Sequence, residues 1–277
     1  MIDFQALPAL DDAYSVTSQQ IEEYRKNGHV CLPAVCSSEE VARFQPVITD
    51  ASQRFSSETR PLEERDLFGK AFNLVGGLWN RDEGVARFTL AKRFARIAAE
   101  LMGVDGVRLY HDVSINKEAG GGYTPWHQDA YYWPMDTPHN ITMWMSLVDI
   151  THEMGGLNFA SGSQHEGYLG EGISDDSQVF YDNVIDTQGF PIVSHAQRRG
   201  VLKAGDATFH NGWTLHSAPP NNSDRARQIM TVVYFADGVR TFADMGNSNR
   251  ESDFKAYMPG VLPGEMAASP LNPVLYP

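Results

Sequence analysis

Two segments near the start of the chain have the end signals and apolar spacing of amphipathic helices. "TSQQIEEYRKNGH" begins with a capping box made by Thr17 and Gln20, and "SSEEVARFQPVITDASQRF" begins with another made by Ser37 and Glu40. The segment between them, "HVCLPAV", reads as a short strand. The N-terminal third is therefore predicted to be mainly helical.

The spacing of apolar residues changes near residue 106. Residues 85–102 predict one amphipathic helix that ends at Gly103. The chain after residue 106 instead contains a series of strand-like segments separated by Gly, Pro and Asn: "VRLYHDVSI", "YTPWHQDAYYW", "NITMWMSLVDI", "GGLNFAS", "RGVLKAGDATFHN" and "RQIMTVVYF". Helices followed by strands favour an α+β fold with a barrel or jelly-roll core.

The length of 277 residues is near the upper end for one domain, and we expect a single domain over 1–277. It divides into a helical N-terminal part at 1–105 and a jelly-roll core at 106–236. The polar stretch 166–199 is predicted to be a long loop or insertion, and the turn-rich segment 237–277 is predicted to cover the surface or a site.

Charge and cysteine content narrow the possible partners and compartment. The chain has 22 Lys and Arg against 35 Asp and Glu, a net charge of −13, with no basic stripe. This disfavours nucleic acid and anionic membranes as partners. Two cysteines make no disulfide framework, the start "MIDFQALPALDDAYS" lacks a secretory signal pattern, and no stretch of 18 apolar residues occurs. We expect a soluble, cytoplasmic protein.

A candidate for metal chemistry lies in "TPWHQDAYYW". Side chains two residues apart on a strand project from the same face, so His127 and Asp129 are predicted to point at one spot. An H-x-D triplet is also common as an ordinary polar pair on a strand. The triplet alone therefore leaves both interpretations open.

A second segment, "GDATFHNGWTLHSAPPNNSDRARQ", adds the missing groups. It supplies His216 and, beyond a Ser/Pro/Asn loop, Arg225 and Arg227. Two imidazoles and one carboxylate on one face of a metal leave three positions open, as a non-haem Fe(II) oxygenase needs. A guanidinium nearby suits a dicarboxylate co-substrate. His210 competes with His216 for the metal if the strand is regular, but "NGW" between them favours a bend.

Together these segments resemble the phytanoyl-CoA dioxygenase superfamily of Fe(II)/2-oxoglutarate oxygenases, which includes ectoine hydroxylase. "WHQDAYYWP", "MGGLNFASGSQ", "GDATFHNGWTLHSAPPNNSDRAR" and "IEEYRKNGHVCLPAVCSSEEV" carry the resemblance, which extends over about 17–236. It implies a double-stranded β-helix core, of the jelly-roll or cupin-like type, with N-terminal helices packed on it.

The resemblance also implies residue roles. His127, Asp129 and His216 match the iron ligands, and Arg227 matches the arginine that holds the C5 carboxylate of 2-oxoglutarate, with Arg225 as the alternative. Further 2-oxoglutarate contacts are expected from Thr142, Trp144, Gln128 and Asn116. Trp133 and Tyr131 are expected to line the substrate pocket.

One position departs from the family pattern. The family often has Ser two residues after the distal histidine, where this chain has Ala218 and, one residue earlier, Ser217. An extra hydroxyl contact to the co-substrate is therefore in doubt. The other histidines considered are expected to be surface or structural residues: His111, His139, His152, His165 and His195.

The implied reaction converts 2-oxoglutarate and O₂ to succinate and CO₂ and hydroxylates an unactivated C–H of a small metabolite. Asp129 disfavours halogenation, because halogenating relatives have a small residue there. Desaturation, epoxidation and ring chemistry remain alternatives. So do a cupin-like zinc hydrolase, which does not need Arg227, and a non-catalytic module, which does not need the metal ligands. Segments 60–84, 166–199 and 237–277 are the expected lid and specificity regions. The sequence predicts neither the substrate nor the oligomeric state.

Overall fold

A computed structural model describes residues 6–170, 172–174 and 176–277. Residues 1–5, the first part of the segment predicted not to be a secretory signal, lie outside the described residues, as do 171 and 175 of the predicted insertion. The helices are α1 (Ser18–Asn27), α2 (Ser38–Phe55), α3 (Leu67–Ala71), α4 (Glu83–Thr89), α5 (Lys92–Met102), α6 (Ser177–Gln188), α7 (His195–Arg199) and α8 (Ser248–Tyr257).

Thirteen strands are present in the described part of the chain. They are β1 (His29–Leu32), β2 (Asn73–Gly76), β3 (Val107–Lys117), β4 (Thr124–His127), β5 (Asn140–Ser146), β6 (Ile150–Thr151), β7 (Asn158–Ala160), β8 (Ile192–Ser194), β9 (Val201–Leu202), β10 (Ala207–Asn211), β11 (His216–Ala218), β12 (Arg227–Ala236) and β13 (Val274–Tyr276).

The strands form a large and a small antiparallel sheet. The large sheet has the order β1-β10-β5-β12-β3-β13, with β2 also paired to β3, and the small sheet has the order β4-β11-β7-β8. A further pair joins β6 and β9. Strands far apart in sequence are neighbours in both sheets, as in a jelly roll. The predicted fold class, with a jelly-roll core and N-terminal helices, is confirmed.

The N-terminal helices begin where the capping boxes predicted. Thr17 and Ser37 are the N-caps of α1 and α2, and both capping boxes are formed with Gln20 and Glu40. The largest apolar core lies between these helices and the large sheet, and Phe44 of α2 and Phe209 of β10 are both fully buried in it. The helices thus cover one face of the large sheet, and the other face is left to line a cavity.

The single helix predicted over 85–102 is wrong, because the chain forms α4 and α5 with a break at Leu90 and Ala91. Ala91 has extended backbone (φ −60°, ψ 126°) and is the N-cap of α5. At the start of α5, the backbone N–H of Arg93 donates to the carbonyl of Leu10, 3.1 Å away. Its guanidinium pairs with Glu40 at 2.9 Å. These contacts with distant segments favour a new helix start over a continuous helix.

The segment 166–199 is not a loop, because it contains α6, β8 and α7. Only Ser177, Tyr181 and Ile185 of α6 are buried, so the apolar pattern is too sparse to be recognised from sequence. The predicted strand "YTPWHQDAYYW" is shorter than expected and ends at His127. The bend expected at "NGW" is present, because β10 ends at Asn211 and β11 begins at His216.

No helix among the described residues is long and apolar enough to cross a membrane. The cytoplasmic location stays a prediction.

Candidate functional site

Two histidines from opposite strands form the centre of the site. His127 on β4 and His216 on β11 are direct cross-strand partners in the small sheet. Residues directly opposite in an antiparallel pair project from the same face with Cβ atoms close together. Their ring centroids are accordingly 4.1 Å apart. Both side chains are buried, with residue exposures of 8% and 4%.

Backbone carbonyls set the tautomer of both rings. Nδ1 of His127 lies 2.8 Å from the carbonyl of Pro125, and Nδ1 of His216 lies 3.0 Å from the carbonyl of Thr214. A carbonyl only accepts, so each Nδ1 carries the proton and donates it. Each Nε2 therefore keeps a free lone pair, which is the state of a histidine ligand whose other nitrogen is hydrogen-bonded.

Asp129 completes a three-ligand group. It opens a 3-10 turn (Asp129–Tyr131) directly after β4. Its Oδ1 lies 3.5 Å from Nε2 of His127 and 3.5 Å from Nε2 of His216. All three ligand atoms lie within 4.8 Å of one another. The structure thus brings together the predicted iron ligands, although a turn and not a regular strand places Asp129.

The second carboxylate oxygen of Asp129, Oδ2, contacts two residues of the large sheet. The Thr142 hydroxyl donates to Oδ2 at 2.9 Å, and Nε2 of His210 lies 3.3 Å from it. Thr142 and His210 are cross-strand partners on β5 and β10. Only Oδ1 is left for a metal, so Asp129 is arranged as a monodentate ligand. Thr142 therefore helps to position the carboxylate of Asp129. His210 contacts the same oxygen and is not one of the three ligands.

The charges of the three groups suit a divalent cation. Burial opposes ionisation of Asp129, but its interactions with His216, His127 and His210 hold the pKa of its carboxyl well below the ordinary value. Burial holds the pKa of His216 well below its ordinary value. An ionised carboxylate and a neutral imidazole are the protonation states that metal ligands require.

Arg227 lies at the start of β12 and is buried, with 2% exposure. Its guanidinium lies 5.3 Å from the ring centroid of Trp144 and donates to the carbonyl of Gly155, while its Nε has no hydrogen-bond partner among the described residues. Burial lowers the pKa of Arg227 to about 9. Arg225, in contrast, is exposed and lies beside Asp224. Between the two candidates, only Arg227 is placed to bind a buried anion.

A second buried basic side chain lies beside Arg227. Lys117 on β3 is its cross-strand partner and has no exposed surface. The Lys117 ammonium donates to the carbonyls of Gly122 and Pro219 and lies 3.4 Å from the hydroxyl of Thr124. Burial, and to a smaller extent the charge of Arg227, lowers the pKa of Lys117 to about 6. None of the described carboxylates pairs with either side chain, which leaves this end of the site electropositive.

One cavity of about 730 Å³ connects these groups. Most of the residues predicted for the site line it: His127, Asp129, His216, Arg227, Thr142, Trp144, Trp133 and Tyr131. Gln128 and Asn116 are not among the lining residues. The Gln128 amide is fully buried and bonds to the backbone of Gly167, Leu169 and Trp213. Asn116 lines a separate small cavity on β3. Neither side chain therefore lines the cavity that contains the candidate ligands.

The cavity also contains residues that the sequence did not indicate. Thr124 and His127 are three residues apart, which places side chains on opposite faces of a regular strand. A register shift opposite His216 and Ala218 brings both to the cavity. His111, expected to be a surface or structural residue, also lines the cavity, and its Nδ1 forms no hydrogen bond with any residue that the structure describes.

All three expected lid segments reach the cavity. Segment 60–84 contributes Phe68, Phe72 and Leu74; segment 166–199 contributes Gly172, Ile173 and Ser174; and segment 237–277 contributes Asn249, Asp253 and Tyr257. Segments outside the metal-binding motifs thus form part of the wall of the same cavity.

The sequence of the chain matches the model of one protein family, phytanoyl-CoA dioxygenase (PhyH), over residues 24–229. The match covers most of the chain and contains all three candidate ligands and Arg227. The chain belongs to the phytanoyl-CoA dioxygenase family. Family membership confirms the enzyme class predicted from the sequence, a non-haem Fe(II)/2-oxoglutarate dioxygenase.

Individual members and solved structures agree with this assignment. The chain is 25% identical over 227 residues to L-proline trans-4-hydroxylase of Streptomyces griseoviridis, covering 76% of this chain and 83% of the relative. It is similar in fold to the non-haem α-ketoglutarate-dependent carbocyclase SnoK of nogalamycin biosynthesis, with a TM-score of 0.73, 23% identity and coverage of 94% and 96%. EctD from S. alaskensis, solved with 2-oxoglutarate and 5-hydroxyectoine, gives a TM-score of 0.65 at 19% identity, covering 85% of this chain and 83% of that one.

Proposed function

We propose that this family member binds Fe(II) through Nε2 of His127, Nε2 of His216 and Oδ1 of Asp129, and that it hydroxylates an unactivated C–H of a small metabolite. The observation that carries the proposal is the buried Arg227, which forms an ion pair with none of the described carboxylates and lines the same cavity as the three ligand residues. A buried cation is costly without an anionic partner, so the cavity is built for one.

The residues fit 2-oxoglutarate as that anion. The free Nε of Arg227 and its planar guanidinium suit a carboxylate, and Trp144 supports the guanidinium from one face. Lys117, a second basic side chain at this end, lies 3.4 Å from the hydroxyl of Thr124 and can donate a hydrogen bond to it. When bound, Fe(II) and 2-oxoglutarate supply the O₂-dependent oxidation, with release of succinate and CO₂.

The chain's own residues hold the centre in place. The carbonyls of Pro125 and Thr214 fix the two imidazoles, and the Thr142 hydroxyl fixes the carboxylate. Three ligands on one side of the site leave the side toward the cavity open for co-substrate. Trp133, buried and in contact with the cavity, helps to exclude water from the substrate side.

Two alternatives are less well supported. A zinc hydrolase has no use for a buried guanidinium beside its metal, so Arg227 favours the oxygenase. A non-hydroxylating oxidation remains the second candidate, because solved structures of similar fold include an enzyme described as an epimerase and one described as a carbocyclase. The two relatives matched by sequence are named as hydroxylases, of L-proline and of methylphosphonate, which favours hydroxylation.

An anaerobic titration tests the proposal. Addition of Fe(II) and then 2-oxoglutarate to the protein should produce the weak visible charge-transfer band of the chelate. Asp129→Ala should abolish the band and the conversion of 2-oxoglutarate to succinate, whereas Asp224→Ala, which removes an exposed carboxylate, should change neither. Absence of the band in the wild-type protein, or undiminished turnover in Asp129→Ala, would contradict the proposal. A screen of small metabolites for substrate-stimulated succinate formation then identifies the substrate.

A further inference from the structure

The C-terminal helix brings a carboxylate to the cavity. Asp253 on α8 lines the same cavity as the three candidate iron ligands. Its Oδ2 accepts a hydrogen bond from the hydroxyl of Tyr110 at 3.0 Å. Its other oxygen accepts no hydrogen bond from any residue that the structure describes, and no described Lys, Arg or His forms an ion pair with it. Asp253 is thus a half-buried carboxylate with one oxygen uncommitted.

Tyr132 is close enough to both Asp253 and Asp129 to be affected by their charges. The pKa of the Tyr132 hydroxyl is raised, first by burial and then also by the charges of Tyr131, Asp129 and Asp253, so Tyr132 lies within the field of both carboxylates. His111, which also lines the cavity, is not a cationic partner for Asp253. Burial lowers the pKa of His111 to about 4, which leaves it neutral near pH 7.

The walls around Asp253 are otherwise apolar and aromatic. Tyr257 of α8 packs on His111 with ring centroids 4.7 Å apart, and Trp133 packs on Tyr110 at 5.8 Å. The apolar side chains of segment 60–84 complete this part of the cavity. Apart from the metal ligands and Arg227, Asp253 is the only charged side chain among the described residues that line the cavity.

Accepting the hydrogen bond from Tyr110 is a structural role for Asp253, but it does not explain why the residue is a carboxylate. Tyr110 needs one acceptor, and a neutral amide would serve it without the cost of burying a charge. Burial raises the pKa of Asp253 to about 6, which measures that cost, and the group is still mostly ionised above neutral pH. A ligand that carries a positive charge would compensate the cost of this partly buried carboxylate.

The formal charges of the occupied site also favour a positively charged substrate, an argument that rests on the proposed function. With Fe(II) and the 2-oxoglutarate dianion bound, the charges of the metal, the co-substrate, Asp129 and Arg227 cancel. Asp253 is then left as the unbalanced charge among the described residues that line the cavity.

We propose that the substrate carries an ammonium group, or another amine-derived cation, that binds to the free oxygen of Asp253, and that the apolar body of the substrate packs between Trp133 and Tyr257. The carboxylate would orient the substrate through a charge-assisted hydrogen bond. Anionic metabolites, including phosphates and acyl-CoA esters, would be repelled from this end of the cavity.

Three ring compounds that differ only in their polar head provide the test: cyclohexylammonium, cyclohexanol and cyclohexanecarboxylate. Their binding is measured by calorimetry on the anaerobic protein, with and without Fe(II) and 2-oxoglutarate. Wild-type protein should bind the ammonium compound roughly tenfold more tightly than the alcohol, as expected for one hydrogen bond to a charged group, and the carboxylate least. Asp253→Asn should lose this preference. Glu251→Gln, which removes an exposed carboxylate from the same helix, should keep it.

Equal binding of the ammonium and alcohol compounds by the wild-type protein would overturn the proposal, as would no binding of the ammonium compound or an unchanged preference in Asp253→Asn. The charge-transfer band of Asp253→Asn should match that of the wild type, so loss of the metal site and loss of the substrate contact are separate results. Tyr110→Phe provides a second variant that keeps the carboxylate. Its preference for the ammonium compound should be at least as large as that of the wild type, and loss of the preference would assign Asp253 to a structural role.

Discussion

Thr124 on β4 lies directly opposite Ala218 on β11, and both line the cavity beside Arg227. The hydroxyl that the family pattern places at position 218 is absent, and a hydroxyl is present on the opposite strand instead. The Lys117 ammonium lies 3.4 Å from the Thr124 oxygen and can donate to it. This arrangement leaves the hydroxyl proton of Thr124 free to be donated to an anion in the cavity.

Thr124→Val should weaken 2-oxoglutarate binding by about tenfold, because it removes one hydrogen bond to a charged group without changing side-chain shape. Binding is measured by titrating the charge-transfer band, and the affinity for Fe(II) should not change. Ser217→Ala is the matched control, since Ser217 is next to Ala218 but is not among the residues lining the cavity. Equal 2-oxoglutarate affinity in Thr124→Val and the wild type would remove Thr124 from the co-substrate site.

Arg227→Ala should weaken 2-oxoglutarate binding by about a hundredfold or more, because truncation of one partner of a buried charge pair costs several kcal/mol. Metal binding should be retained. Arg225→Ala removes an exposed guanidinium two residues away and should leave 2-oxoglutarate affinity unchanged. If Arg225→Ala instead bound 2-oxoglutarate more weakly than Arg227→Ala, the carboxylate contact would be assigned to Arg225.

Thr142→Val should lower Fe(II) affinity by roughly 10- to 100-fold, the usual effect of losing a group that orients a metal ligand. The hydroxyl of Thr142 holds Oδ2 of Asp129, so its loss frees the carboxylate to rotate. Metal affinity is measured by competition with a chelator. Thr231→Val is the control, because Thr231 lines the same cavity but donates its hydroxyl to the carbonyl of Val113. Similar metal affinity in both variants would contradict a positioning role for Thr142.

Lys117 makes the stability of the ligand-free protein depend on pH. Its pKa falls from 10.5 to about 6 on folding, so between these values the unfolded chain binds the proton and the folded chain does not. Stability linked to Lys117 therefore rises with pH over this range, by at most about 1.4 kcal/mol per pH unit. Chemical denaturation should show the wild type gaining stability relative to Lys117→Met from pH 7 to pH 9. Parallel pH profiles for the two proteins would show that Lys117 stays protonated in the fold.

The sequence identified the parts of the site that lie in continuous motifs. His127, Asp129 and His216 are brought together because β4 and β11 pair with the two histidines opposite each other, which local spacing alone cannot show. The order of the motifs and the resemblance to a family supplied that information. The resemblance favoured Arg227 over Arg225, and burial, a property of the folded chain, separates the two.

The remaining contributors were hidden for physical reasons. A register shift reverses the facing of Thr124, and regular alternation cannot anticipate it. Asp253 lies on a helix with no buried residues, so α8 has no apolar stripe to reveal it. The break between α4 and α5 depends on contacts of Arg93 with Leu10 and Glu40, which are far away in sequence.

Asp129 joins the two sheets through its two oxygens. Oδ1 belongs with the histidines of the small sheet, and Oδ2 is bonded to Thr142 and His210 of the large sheet. Any change in the spacing of the two sheets therefore moves a metal ligand. Iron bound here would act as a cross-link between the layers, and its binding free energy would add to the free energy of unfolding. Substitutions of apolar side chains that pack together from the two sheets, such as Phe159 of the small sheet and Ile229 of the large sheet, should thus lower iron occupancy as well as thermal stability.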